Sequence, residues 1–200
     1  RVAIILHNSL QFVIGYYGIM KAGAIVVPLN PLLKARELQQ SLNDARVKLI
    51  ITSGEFLPLV GKAINKAKVN TLVIPDNEKI ISLSWIDEIL KNELLAPAEV
   101  DIKPKQDVAV MLYTGGTTGT PKGVMLTHYN LVANAIQNAI WFGWSEREVV
   151  IGVLPFYHTW GGCTCINSPV YAGARVVILP RFDVKELLET IERERATVLY

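Results

Sequence analysis

Residues 113–123 read Tyr-Thr-Gly-Gly-Thr-Thr-Gly-Thr-Pro-Lys-Gly, directly after an apolar run that reads as a buried strand. Glycine lets the backbone approach a ligand closely and take positive φ, so that successive N–H groups converge on an anion. Thr114, Thr117, Thr118 and Thr120 add hydroxyls, and Lys122 adds a mobile positive charge. Together they suit a polyphosphate. The run is not the Walker A pattern, which needs Gly, four residues, then Gly-Lys-Ser/Thr, and it does not fit Gly-x-Gly-x-x-Gly. The competing account is a plain hairpin loop. Ordinary turns need one or two glycines, not this density combined with Thr and Lys.

A second cluster spans residues 154–161, Leu-Pro-Phe-Tyr-His-Thr-Trp-Gly. His158 is its titratable member. A histidine taken alone is more often packed or capping than reactive. Phe156, Tyr157, Trp160 and Gly161 border either a ligand pocket or the core, since aromatic side chains at this spacing serve both. Cys163 and Cys165 lie close by in sequence. With His158 they make three ligands on adjoining turns and no fourth, which is a poor zinc site.

The glycine–threonine run closely resembles the phosphate-binding signature of adenylate-forming enzymes, the superfamily of acyl-CoA synthetases, luciferases and peptide-synthetase adenylation domains. That signature is Tyr/Phe-Ser/Thr-Ser/Gly-Gly-Ser/Thr-Thr-Gly-x-Pro-Lys-Gly, and every position from Tyr113 to Gly123 obeys it. Residues 154–161 are similar to the family's Leu-Pro-x-x-His-x-x-Gly segment. The likeness runs the whole chain. Asn30-Pro31 with Arg36-Glu37-Leu38, and Gly173-Ala174 followed by Pro180-Arg181-Phe182-Asp183, look most like fatty-acyl and 4-coumarate-type CoA ligases.

The resemblance implies activation of a carboxylic acid, a medium- or long-chain fatty acid, by MgATP to acyl-adenylate and pyrophosphate, followed by transfer to the thiol of coenzyme A. It implies that Thr114, Gly115, Gly116, Thr117, Thr118, Gly119 and Lys122 hold the β- and γ-phosphates. Thr117 is the residue implied to touch Mg²⁺, and Lys122 and His158 are the implied catalytic pair, His158 lying near the substrate carboxylate and the α-phosphate. An aryl-acid CoA ligase, another adenylating enzyme and a non-catalytic nucleotide-binding module are the alternatives. The family's Tyr-Gly-x-Thr-Glu segment and its C-terminal lysine are not found before Tyr200. The chain is therefore expected to be part of a large N-terminal domain and inactive alone.

These residues must be positioned by alternating strands and helices. Val2–Leu6 reads as a strand, followed by a helix capped by Asn8 or Ser9 with Phe12, Tyr16 and Ile19 on one face and Gly23 at its end. Strands are expected at Ala24–Val27, Val47–Ile51 and Thr71–Ile74, with helices at Lys34–Ala45, Leu57–Ala67 and, shorter, Trp85–Leu90. Further strands are expected at Val108–Tyr113, Val124–Leu126, Val149–Leu154, Arg175–Leu179 and Thr197–Tyr200. Thr127 should cap a helix with Leu131, Val132, Ala135, Ile136, Ala139 and Ile140 on one side. Asp183 and Glu186 should start another with Val184, Leu187, Leu188 and Ile191. The pattern predicts an α/β fold of parallel sheets flanked by helices. Residues 1–94 make a first subdomain, 95–106 a linker, and 107–200 a second subdomain, carrying the phosphate loop and cut short at Tyr200.

With 200 residues, half of them hydrophobic, the chain has enough apolar surface to build a core. A net charge of +2 argues against a nucleic-acid binder. No run reaches the length of a membrane span, which leaves peripheral membrane contact and a homodimer open. Two cysteines are too few for a disulfide scaffold and suit a reducing, cytoplasmic setting.

Overall fold

The computed structural model describes residues 1–64, 69–74, 99–114 and 121–200. The expected helix at Trp85–Leu90 and part of the 95–106 segment lie outside them. The first sheet has six strands in the order β4-β3-β1-β2-β5-β6, formed by β1 (Val2–Ile5), β2 (Val26–Pro28), β3 (Leu49–Ser53), β4 (Asn70–Ile74), β5 (Val108–Thr114) and β6 (Lys122–Thr127). All its pairings are parallel except β5 with β6. The second sheet pairs β7 (Val149–Gly152) with β8 (Arg175–Ile178) in parallel.

Side chains alternate between the two faces of a strand, and here the alternation sorts the core. Ile4, Val26 and Ile51 point into one cluster with Phe12 and Tyr16 of α1 (Leu10–Lys21). Their neighbours Ala3, Ile5, Val27 and Ile50 point into the opposite cluster. That face is covered by Leu38 and Leu42 of α2 (Ala35–Asp44) and Val60 and Ala63 of α3 (Leu57–Ile64). Being covered on both faces is why these strands are continuously apolar. Ser9, not Asn8, caps α1, accepting from the Phe12 N–H at 3.2 Å. Gly23 then turns the chain at φ +71°.

The sheet boundary falls after β6 rather than at residues 95–106. β5 pairs with β2, so the first sheet draws strands from both sides of that segment. The reason is the apolar content of β5, whose Ala109 and Val110 join the cluster beneath α1.

Helix α4 (His128–Phe142) is capped by Thr127 as expected. Its apolar face is only partly covered: Ala135 and Ala139 are buried, while Val132 and Ile140 are exposed. The segment after β7 is helical from Thr159–Gly161, through a π-helical stretch Gly162–Asn167, to Ser168–Ala172, and is termed α5 here. Helix α6 (Val184–Glu194) follows, with Asp183 accepting from the Glu186 N–H at 2.9 Å and Leu187 packed on Ile151 and Leu179. The last expected strand is reduced to one bridge, Val150 to Val198.

One buried side chain ties the two sheets. Asn8 follows β1 and donates from Nδ2 towards the carbonyls of Leu154 at 2.9 Å, Gly152 at 3.2 Å and Leu179 at 3.3 Å. Its Oδ1 accepts from the Phe156 N–H at 2.9 Å. The Arg181–Glu55 ion pair, at 2.8 Å, spans the same junction at the surface. No helix among the described residues is long and apolar enough to cross a membrane.

Candidate functional site

The described ends of the first sequence motif and the centre of the second line one cleft. β5 and β6 form an antiparallel hairpin in which Thr114 stands opposite Lys122. Gly115, Gly116, Thr117, Thr118 and Gly119 lie outside the described residues. Thr114 and Pro121, on either side of the run, line a cavity of about 560 Å³ together with Tyr113, Tyr157, His158 and Thr159. Lys122 is exposed at the hairpin's mouth.

The final glycine of the first motif has a packing reason. A Cβ on Gly123 would fall on the terminal methyl of Met111, which lies beside it on β5. Tyr113, the motif's first residue, points its hydroxyl to the Asp44 carboxylate at 2.5 Å and lies 3.2 Å from the Ser41 carbonyl, both on α2. Burial and the Asp44 carboxylate together push its pKa well above the ordinary tyrosine value.

The second motif builds a turn that presents His158. The His158 N–H donates to the Pro155 carbonyl at 3.0 Å, and α5 starts immediately afterwards. Gly161 sits over that carbonyl with no space for a Cβ: an added carbon would be 2.7 Å from the Pro155 carbonyl carbon and 3.0 Å from the Leu154 oxygen. The spacing of Leu-Pro-x-x-His-x-x-Gly is therefore the length of one turn closed on its own start.

His158 is exposed and caps α5, its Nδ1 accepting from the Trp160 N–H at 3.3 Å. It borders two cavities. One is the cleft shared with Thr114. The other, of about 360 Å³, is walled by Val110, Leu112, Leu126, Leu131 and Phe156 and by Cys163. Phe156 also packs in the core, edge-on to Phe12 at 5.7 Å. Tyr157 lines the first cavity. Trp160 lines neither of these two, and its ring meets Tyr200 edge-on at 5.6 Å. Cys163 and Cys165 are buried and free of any disulfide. The Cys163 sulfur accepts from Asn138 Nδ2 at 2.8 Å, so it serves packing and polar satisfaction. Among the described residues no group of three or more His, Cys, Asp or Glu side chains could hold a metal.

The family model for AMP-binding enzymes matches residues 1–200. The chain belongs to the AMP-binding enzyme family. It is 38% identical over 233 aligned residues to a long-chain-fatty-acid–CoA ligase of Bacillus subtilis (strain 168), covering 99% of this chain and 40% of that relative. A crystal structure of a long-chain-fatty-acid-CoA ligase (FadD1) from Archaeoglobus fulgidus superposes with a TM-score of 0.84 at 34% identity, covering 98% of this chain and 38% of that one. ATP-bound MatB from Rhodopseudomonas palustris superposes with a TM-score of 0.82 at 28% identity, covering 96% of this chain and 37% of that one. The chain thus spans about two fifths of the length of these family members. The mostly parallel sheet with helices on both faces is the architecture it shares with them.

Proposed function

We propose that the protein joins a carboxylic acid to AMP at the expense of ATP, and then passes the acyl group to coenzyme A. The observation carrying this reading is that Thr114 and Pro121, which flank the glycine–threonine run, line one cavity with His158, while Lys122 stands opposite Thr114 on the neighbouring strand. The reacting carboxylate is already ionised near neutral pH, so no base is needed to activate it. It needs a partner that holds it in line with the α-phosphorus, and charge to meet the departing pyrophosphate.

His158 suits the first task. With Nδ1 occupied by the Trp160 N–H, the neutral ring carries its proton on Nε2. In that tautomer Nε2–H is a donor, able to hold a carboxylate or phosphate oxygen. Lys122 suits the second: an exposed cation at the end of a loop whose backbone N–H groups and hydroxyls favour β- and γ-phosphate oxygens. Carboxylate oxygen attacks the α-phosphorus, the bond to the bridging oxygen breaks, and pyrophosphate leaves.

Mg²⁺ would neutralise phosphate charge in this reaction. It commonly binds one or two carboxylates together with substrate phosphates. Glu37 does line the cavity, but its Oε2 accepts from the Lys34 N–H at 2.8 Å. Glu37 is the carboxylate that lines the cavity among the described residues, and Thr117 lies outside them. The favoured acid is a medium- or long-chain fatty acid. This is supported by the 38% identity to a long-chain ligase and by the apolar wall of the cavity behind His158.

The test is Lys122→Ala in the full-length protein, with the two half-reactions assayed separately. ATP–pyrophosphate exchange should fall by roughly 10²-fold. Transfer from preformed acyl-adenylate to coenzyme A should change little, because the β- and γ-phosphates have already left. Equal slowing of both steps overturns the assignment.

A further inference from the structure

Two cavities meet at Asn167. The one behind His158, about 360 Å³, has Asn167 and Leu131 in its wall. Another, open to solvent and of about 470 Å³, has the same two residues in its wall and continues past Met20, Ala135 and the exposed Val132 and Val170. The second is lined mainly by apolar side chains, while the first sets an apolar wall against Asn130, Asn134, His158 and Thr159. Of the two residues common to both walls, Leu131 is apolar and Asn167 polar.

The Asn167 side chain is held between adjacent tyrosines of α1. The Tyr17 hydroxyl donates to Oδ1 at 2.9 Å, and Nδ2 donates to the Tyr16 hydroxyl at 3.3 Å. Burial pushes the Tyr16 pKa up to about 12 and raises that of Tyr17 as well, so the group stays neutral at ordinary pH. Neutral hydrogen bonds contribute modestly each, so an entering alkyl chain can displace them at a small cost.

We infer that Asn167 is the length gate of the acyl site, an assignment that rests on the fatty-acid reading above. A short acyl tail stays in the cavity behind His158. A long tail must part Asn167 from both Tyr16 and Tyr17 to reach the second cavity. Parting the clasp costs the long substrate its two hydrogen bonds and costs the short one nothing.

The experiment measures kcat/KM for octanoate and palmitate in the full-length protein and in its Asn167→Ala and Tyr17→Phe variants. Removing the clasp should raise the palmitate-to-octanoate ratio by about tenfold in Asn167→Ala, and by about threefold in Tyr17→Phe. In Tyr17→Phe, whose substituted ring lies outside the wall of the first cavity, the octanoate value should move little. A general loss of fold would lower both values and leave the ratio alone. Should Asn167→Ala fail to fold, Tyr17→Phe, which keeps the ring and the Tyr16 contact, decides the matter. An unchanged ratio in the folded variants overturns the gate and leaves the fatty-acid reading standing. Adenylation of neither acid by the parent protein overturns both.

Discussion

His158 carries two roles that substitution can separate. It caps α5 through Nδ1, and its proposed role is to hold a substrate oxygen through Nε2–H. Asparagine is a good N-cap and alanine a poor one. His158→Asn should keep stability within about 0.5 kcal/mol, while His158→Ala should lose about 1 kcal/mol in urea denaturation. Both should slow ATP–pyrophosphate exchange in the full-length protein by a similar factor of roughly 10². Activity retained in His158→Asn would reduce the histidine to a cap. Tyr113 gives a pH signature. Its folded pKa is raised, so it contributes stability that is fully present below the unfolded tyrosine value of about 10 and is lost as pH rises above it. Tyr113→Phe should flatten the fall of stability with alkaline pH, read as a shallower drop in Tm across that range. At this scale the sequence was legible where residues that line one cavity sit close together in the chain, as with Tyr113 and Thr114 or with Tyr157, His158 and Thr159. Asn8 and Asn167 were not legible, because their partners are distant: Gly152 lies 144 positions from Asn8, and Tyr17 lies 150 from Asn167. Nothing about an isolated asparagine marks it as the tie between two sheets.

Among the elements, α5 was the one the sequence concealed. Its residues include Gly161, Gly162, Thr164, Asn167 and Pro169, which are weak helix formers, and no 3.6-residue stripe runs through the π-helical stretch. Burial holds it instead: Cys165 and Ile166 are almost fully enclosed. The strands and the helices α1 and α2 were legible because their apolar spacing matches one face covered by the core, whereas in α6 Leu187 is buried but Val184 and Leu188 of the same stripe stay exposed. For α4 the same spacing overstated the burial, since Val132 and Ile140 share the stripe but remain in solvent. Two adjacent glycines in α5 make a sharp comparison. Gly161→Ala must push a methyl into the Pro155 carbonyl, where backbone cannot yield cheaply, and should cost about 2–4 kcal/mol. Gly162→Ala meets only the Phe156 carbonyl at 3.4 Å, an ordinary contact, and should be neutral or mildly stabilising. Urea midpoints of the two variants check this, and equal midpoints would refute it.

Across the whole molecule, the two sheets depend on a junction with very few polar contacts. Asn8→Ala would strand the Phe156 N–H and remove the donor from three carbonyl oxygens at a buried position. That should cost about 2–4 kcal/mol. The exposed Arg181–Glu55 pair, by contrast, should contribute under about 1 kcal/mol, so Arg181→Ala should barely shift the denaturation midpoint. A larger loss in Arg181→Ala than in Asn8→Ala would reverse this ranking. The placement of β5 also bears on the order in which the chain is synthesised. Strands β1 to β4 come from the first 74 residues, yet β2 gains its outer neighbour only when residues 108–114 emerge. Until then β2 is an open edge, the kind of surface on which nascent chains stick together. It is a poor template. It is three residues long, and because Leu29 turns its N–H to Ile4 of β1, the alternate residue Pro28 presents its hydrogen-less nitrogen to the waiting side. A growing polypeptide on a crowded ribosome thus holds its unfinished sheet with a proline facing its neighbours.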